Sequence, residues 1–339
     1  MADARATAEQ LTGPAAGLLP RLRRRSWPLV ATWAAVVVLA ATLPRAMGDY
    51  WSFVIAQAAV AAIIVLSLTL LIGFAGQVSL AQSAFVGAGA YTCAKLHDVL
   101  HLQPWVAVPL AVGVGFMLGV IVGIPALRLS GMYLAISTFG LAVVADRFVF
   151  QLPQLGGLNG LTLARPTAPI NLASNVDFAY VVLGVLGVVL FCLWRLHDSR
   201  TGWYLGAIRD DERAALMAGV DVPVYKLLVF GFSGALAALG GSLMGYLALH
   251  LNPVDFSAFT SISYLALAVV TGPRNLVGAL VAGGLYVLLP QFATSVNARW
   301  TTPLQLVLPM LLVIGVYAVA ADAPRRVLRR AVTRMTHAA

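Results

Sequence analysis

The side chains able to do chemistry in this sequence are few and scattered. His97 and His101 stand four residues apart with Asp98 between them, a spacing that holds a metal when it lies on a helix. Here they fall in a short polar loop, so they read as solvated histidines and no metal is expected. Asp146-Arg147 is the only charged pair inside an apolar block. A carboxylate so placed is the hallmark of a proton relay, but its position near the end of the block favours both side chains reaching out to the interface. No G-x-x-x-x-G-K-[ST] phosphate loop occurs in the chain. No catalytic residue is assigned, the chain is not read as an enzyme, and no cofactor is expected on it. Any ATP and Mg that drive it belong to another subunit.

A different chemistry, weak and reversible hydrogen bonding, is offered by a glycine-rich stretch. Gly73, Gly76, Gly87 and Gly89 permit close backbone approach or a helix break. Between and beside them stand Gln77, Ser79, Gln82, Ser83 and Tyr91, all uncharged. A broken helix exposes amide and carbonyl groups near a membrane midplane, where they can meet a zwitterionic solute. The competing reading is that these side chains hydrogen-bond one helix to another, each contact contributing about 0.6–2 kcal/mol. Asn159 sits in a second glycine-rich turn, where asparagine often serves only the backbone.

The one long polar stretch between apolar blocks spans residues 197–225. Its periodicity predicts an amphipathic helix over Thr201–Gly219, with Tyr204, Ile208, Ala215 and Leu216 on one face. Arg209, Asp210, Glu212 and Arg213 lie around the others. Gly219 is a natural helix stop and Pro223 opposes continuation. A helix lying on lipid carries a basic polar face. The mixed signs of Arg-Asp-Asp-Glu-Arg instead suit docking on a protein surface, where opposite charges fix register.

The elements that must position these groups are apolar helices. The chain of 339 residues is 60% hydrophobic and 10% charged, against about 25% charged in a soluble domain. Apolar blocks of membrane-spanning length run roughly 28–43, 51–74, 78–96, 105–127, 132–150, 178–196, 226–251, 262–271, 276–290 and 303–321. A backbone in lipid must satisfy its own hydrogen bonds, and the blocks do not alternate as barrel strands do. The expected fold is therefore all-α, a polytopic bundle of about 8–10 spans. The third, eighth and ninth blocks are short or rich in small residues and suit re-entrant or broken helices instead of full spans. Three regions follow: a basic tail over 1–26, a membrane domain over 27–321 that contains the 197–225 loop, and a basic tail over 322–339.

Charge orients the bundle. With a cytoplasmic N-terminus and one crossing per block, 17 of the 22 Lys and Arg fall inside, so both termini are expected in the cytoplasm. The exceptions are Arg45, Lys95, Arg147, Arg165 and Arg299. The net charge of +9 then reads as contact with membrane lipid, with no nucleic acid implied. Cys93 and Cys192 lie in separate apolar blocks and suggest neither a disulfide framework nor a metal motif.

Against this background Glu212-x-Ala214-Ala215-x-x-x-Gly219 resembles the E-A-A-x-x-x-G loop of ABC importer permeases. Ile72-Gly-Phe-Ala-Gly-Gln-Val-Ser-Leu-Ala-Gln-Ser-Ala-Phe-Val-Gly-Ala-Gly-Ala-Tyr91 resembles the glycine-rich signature of branched-chain amino-acid permeases. Leu129-Ser-Gly-Met-Tyr-Leu-Ala-Ile-Ser-Thr138, Gly156-Gly-Leu-Asn-Gly-Leu161 and Ser199-Arg-Thr-Gly are similar to further signatures of that family. Their order resembles the larger, M-type permease, over roughly residues 51–320.

The resemblance implies a multi-pass permease subunit of a bacterial inner-membrane importer. Its implied partners are a second homologous permease, two cytoplasmic ATP-binding subunits and an extracytoplasmic substrate-binding protein. It further implies that Tyr204, Ile208, Arg209, Glu212, Arg213, Ala214, Ala215 and Gly219 couple the chain to the ATPase. Gly73, Gly76, Gln77, Ser79, Gln82, Ser83, Tyr91 and Asn159 would then line the translocation path. The implied cargo is branched-chain amino acids, with urea or short amides as the nearest alternative. Ion-coupled secondary transport is the competing mechanism. One departure stands out: where the family carries a flexible glycine-rich turn, this chain reads Thr271-Gly-Pro-Arg-Asn-Leu-Val-Gly.

Overall fold

The computed structural model describes residues 27–129, 131–155, 157, 160–165, 172, 174–273 and 275–296. The two tails, the 303–321 block, Asn159 and Arg274 lie outside the described residues. Ten helices occur among those described. They are α1 (Trp27–Leu68), α2 (Gln82–Leu100), α3 (Pro104–Ala126), α4 (Met132–Val144), α5 (Asn175–His197), α6 (Arg200–Asp210), α7 (Glu212–Met217), α8 (Val222–Ala248), α9 (Ala258–Val270) and α10 (Leu276–Val296). Two short strands, β1 (Leu161–Thr162) and β2 (His250–Leu251), pair antiparallel.

The fold is a polytopic helical membrane bundle. Among the described residues five stretches are long and apolar enough to cross a membrane: Gly48–Phe74, Pro104–Ala126, Met132–Val149, Asn175–His197 and Val222–Ala248. Shorter apolar helices cover Ala258–Val270 and Leu276–Leu288. The first two apolar blocks are joined as α1, which leaves helical geometry only at Gly48 (φ 83°, ψ 178°). A side chain there would be strained, so glycine is the residue that allows the corner.

A break stands at the start of the third block, whereas α2, α9 and α10, which carry the third, eighth and ninth blocks, are themselves continuous. α1 widens into a π-helical turn over Thr69–Phe74, residues 76–81 are not helical, and α2 begins only at Gln82. π turns concentrate where a helix carries a functional irregularity. A second π turn, Ala145–Val149, ends α4.

Helix α8 is the axis of the bundle, packed against α3, α2 and α1; α5 and α10 pack on α1. Small residues set these distances. Gly115, Gly119 and Gly123 line one edge of α3, and a Cβ on Gly119 would come within 2.3 Å of the Phe230 carbonyl oxygen. On α2, a Cβ on Gly89 would meet the Ala238 carbonyl oxygen at 2.2 Å. Lipid is as apolar as leucine, so helices in a membrane associate through such close packing and through hydrogen bonds.

Three of the five cations that broke the charge bias have partners among the described residues. Arg165 donates to the Tyr246 and Leu247 carbonyls at the end of α8 and to Asn175 Oδ1. Cations favour a helix C-terminus. Arg45 lies over the Tyr180 ring at 5.3 Å, Lys95 sits 3.5 Å from Asp98, and Arg147 is exposed.

Candidate functional site

The polar groups of the glycine-rich stretch form a buried seam. Gln82, at the first turn of α2, donates from Nε2 to Ser67 Oγ of α1 (2.6 Å) and to Ser233 Oγ of α8 (3.2 Å). Ser233 Oγ donates in turn to the Ser67 carbonyl at 2.9 Å. One residue on, Ser261 Oγ of α9 donates to Ser83 Oγ and accepts from the Ser83 N–H, both at 2.8 Å. The non-helical link is fixed as well: the Leu80 N–H donates to Thr138 Oγ1 of α4 (2.9 Å), and the Ala81 N–H to Ser79 Oγ (3.3 Å). Five helices thus meet at one break.

Three side-chain polar atoms are buried and lack a hydrogen-bond partner among the described residues: Gln77 Oε1 and Gln82 Oε1 at the break, and Tyr91 Oη further along α2. Leaving such a group unmatched costs about 1–3 kcal/mol, and each instance in a native fold needs an explanation. Tyr91 stands two to three turns along α2 from Gln82, its ring stacked on Phe150 (5.2 Å between centroids) with Phe256 edge-on. A Cβ on Gly87 would lie 2.3 Å from the Phe150 ring, so that glycine makes room for the aromatic cluster.

At one end of the bundle the 197–225 stretch folds as two short helices. The single helix predicted over Thr201–Gly219 is corrected by Asp211, which is extended (φ −155°, ψ 109°) and ends α6. Its carboxylate accepts from the N–H groups of Arg213 and Ala214, at 2.9 and 3.1 Å, and starts α7. An aspartate that can satisfy two orphan donors competes well with helix continuation. The break also splits the predicted face. Ile208 and Ala215 are buried together with Val222, whereas Tyr204 and Leu216 are exposed. Gly219 supplies the expected stop, with φ at 82°.

An ion pair and a hydrogen bond from a charged donor tie this hairpin to the membrane helices. Lys226, at the foot of α8 and only 8% exposed, holds Glu212 Oε2 at 2.7 Å. Arg209 reaches from α6 to the π turn of α1, donating from Nη1 to the Gly73 carbonyl at 2.8 Å. Gly76 (φ 67°) lies directly beneath its stem, where a Cβ would sit 2.5 Å from Arg209 Cγ. The same guanidinium also pairs with the exposed Asp210. On the hairpin Trp203 is 78% exposed and Met217 92% exposed, and Arg213, Ala214 and Leu216 are exposed as well.

The geometry is thus a surface hairpin connected through one arginine to a broken helix. The model of the family described as "Branched-chain amino acid transport system / permease component" matches residues 50–317. The chain belongs to this permease family. Among similar proteins are the high-affinity branched-chain amino acid transport system permease proteins LivM of Salmonella typhimurium and Escherichia coli. Each is 28% identical over 258 residues, covering 68% of this chain and 61% of the relative. The chain thus spans about three fifths of the length of those relatives. The ribose import permease protein RbsC of Haemophilus influenzae is 25% identical, covering 73% of this chain and 77% of the relative. No solved structure matches the chain.

In this permease, a multi-pass protein of the inner membrane, Gly73, Gly76, Gln77, Ser79, Gln82 and Ser83 are gathered at or next to the break, and Tyr91 lies apart among aromatic rings. Two expectations are corrected. Asp146 does not reach to the interface: it is buried, and Oδ2 accepts from the Ala258 N–H at 3.3 Å, capping α9 from another element. His97 belongs to the last turn of α2, not to a loop, and its Nδ1 lies 3.3 Å from the Leu102 carbonyl oxygen. Ser67, Thr138, Ser233, Ser261 and Lys226 were missed. Each is a polar residue inside a largely apolar run, and that placement was the available signal.

Proposed function

We propose that this chain is the membrane-spanning subunit of an ABC importer that brings branched-chain or related amino acids into the cell. ATP and Mg bind to two separate cytoplasmic subunits. A second, homologous permease completes the pore and an extracytoplasmic binding protein delivers solute. The observation that carries the reading is the Arg209–Gly73 contact. It joins the hairpin, whose exposed Trp203 and Met217 suit a protein partner, to the break between α1 and α2.

In this mechanism the ATPases close on ATP and press on α6 and α7. Lys226–Glu212 carries the load into α8, and Arg209 carries it into the π turn. A π turn can revert to α by shifting one residue, so a small displacement there re-aims Gln77 and Gln82. Their unpartnered amide oxygens are suited to accept from a solute ammonium group and, being uncharged, to release it again.

A ribose permease covering 73% of the chain supports a second reading, a small sugar as cargo. A strain lacking the chain separates the two. Loss of leucine, isoleucine or valine uptake with sugar uptake intact is the expected result; the reverse pattern assigns the sugar. Co-purification identifies the companions: two nucleotide-binding chains and a second permease are expected. Purification of the intact chain alone from native membranes contradicts the assembly.

A further inference from the structure

The molecule carries a second recess, set apart from the seam. A groove of about 530 Å³ runs along α2, closed on its other sides by α3 and by residues 149–155. One face of α2 forms its floor from Ala88 to Leu100, and Leu118, Phe150 and Leu155 form its walls. The lining is almost wholly apolar. Its charged member is Lys95, which faces Asp98 at 3.5 Å. Tyr91, whose buried hydroxyl has no partner among the described residues, is part of the same wall.

Dimensions place this groove in one leaflet. Cys93 Sγ on α2 lies 3.4 Å from Tyr246 Oη near the end of α8, whereas the start of α8 carries the hairpin. The Lys95 end of α2 therefore faces the leaflet opposite the hairpin. Ala88 to Leu100 is about 18 Å at 1.5 Å per residue, close to the roughly 15 Å of one hydrocarbon leaflet. Lys95 and Asp98 lie near the surface end. Tyr91 sits one turn, about 6 Å, deeper, at the depth of glycerol ester carbonyls. Below it everything is apolar.

We infer that this groove holds one phospholipid with a zwitterionic headgroup. Its phosphate pairs with Lys95 and its ammonium with Asp98, and an acyl chain lies against Leu118 and Phe150. The opposed charges 3.5 Å apart match a headgroup bearing both signs, whereas an anionic headgroup meets Asp98 unfavourably. The site depends on membrane insertion only and stands whether or not the chain is an importer subunit.

The test uses the intact permease, with whatever subunits co-purify, in nanodiscs of mixed phosphatidylethanolamine and phosphatidylglycerol. Lipid retained on detergent extraction is read by native mass spectrometry. Wild type is expected to keep one phosphatidylethanolamine, and Lys95→Ala about tenfold less, the loss of one hydrogen bond to a charged group. Leu118→Trp, which fills the groove, is expected to keep none. A photo-crosslinking residue at 118 in an otherwise unaltered chain serves if that variant does not fold, and is expected to label lipid. Equal retention by wild type and Lys95→Ala, preference for phosphatidylglycerol, or crosslinking to a protein partner would each overturn the assignment.

Discussion

Replacing Arg209 by alanine is expected to uncouple ATP hydrolysis from uptake while leaving the permease inserted and assembled. The guanidinium links α6 to the Gly73 carbonyl, and its side chain is 16% exposed while that of its other partner, Asp210, is 73% exposed. A hydrogen bond from a charged donor contributes about 1.5–3 kcal/mol, and the contact with exposed Asp210 at most about 1. The Gly73 contact therefore dominates. Its loss shifts the balance between hairpin position and helix break by roughly 10–150-fold, at about 1.4 kcal/mol per tenfold. The assay is uptake per ATP hydrolysed in proteoliposomes containing the full complex, with solute-loaded binding protein supplied. Arg209→Ala is expected to hydrolyse ATP at a near-normal rate with uptake reduced at least about tenfold. Asp210→Asn, the control, is expected to behave as wild type. Arg209→Ala transporting normally with normal ATPase activity refutes the role given to this contact.

The seam, the glycine packing and the hairpin give further expectations. Gly119→Leu places side-chain atoms where the Phe230 carbonyl lies and is expected to lower thermal stability by about 1–3 kcal/mol or more, read as loss of monodisperse protein on heating. Gln82→Leu removes two hydrogen bonds but also an unpartnered oxygen, so stability is expected to change by less than about 1 kcal/mol while solute uptake falls several-fold. Glu212→Lys leaves Lys226 buried beside a like charge and is expected to impair assembly with the ATPases, and Glu212→Lys with Lys226→Glu to restore most of it; a double variant no better than the single one removes the pair from the load path. Asp146→Asn retains an oxygen for the Ala258 N–H, so uptake is expected to persist and to be insensitive to an ionophore; abolition of uptake with intact folding argues for ion coupling.

Much of the bundle was legible because the bilayer leaves the backbone so few options. Apolar length alone placed the Pro104–Ala126 and Asn175–His197 helices within a few residues. The break before Gln82 was also readable, since Gly73, Gly76 and the intervening polar residues make continuous helix costly there. Polar partners were not readable, because they come from residues 15 to 178 positions away, as in Gln82–Ser67 and Ser83–Ser261. Asp146 misled for the same reason: its role depends on an α9 N-terminus 112 residues further on. Asp211 was misread differently. Its local alternative, capping α7, outweighs helix propensity once Ile208 and Ala215 can share a pocket with Val222. The Gly115, Gly119 and Gly123 spacing was present in the sequence as a close-packing motif and went unused.

The most direct measurement is solute uptake into proteoliposomes containing this permease, with and without its nucleotide-binding companions, at fixed external solute and zero ion gradient. Uptake should appear only with the companions and internal-facing ATP, and stop when hydrolysis is blocked. Accumulation by the permease in the absence of any ATP-hydrolysing chain contradicts a bundle that receives its driving force through the α6–α7 hairpin.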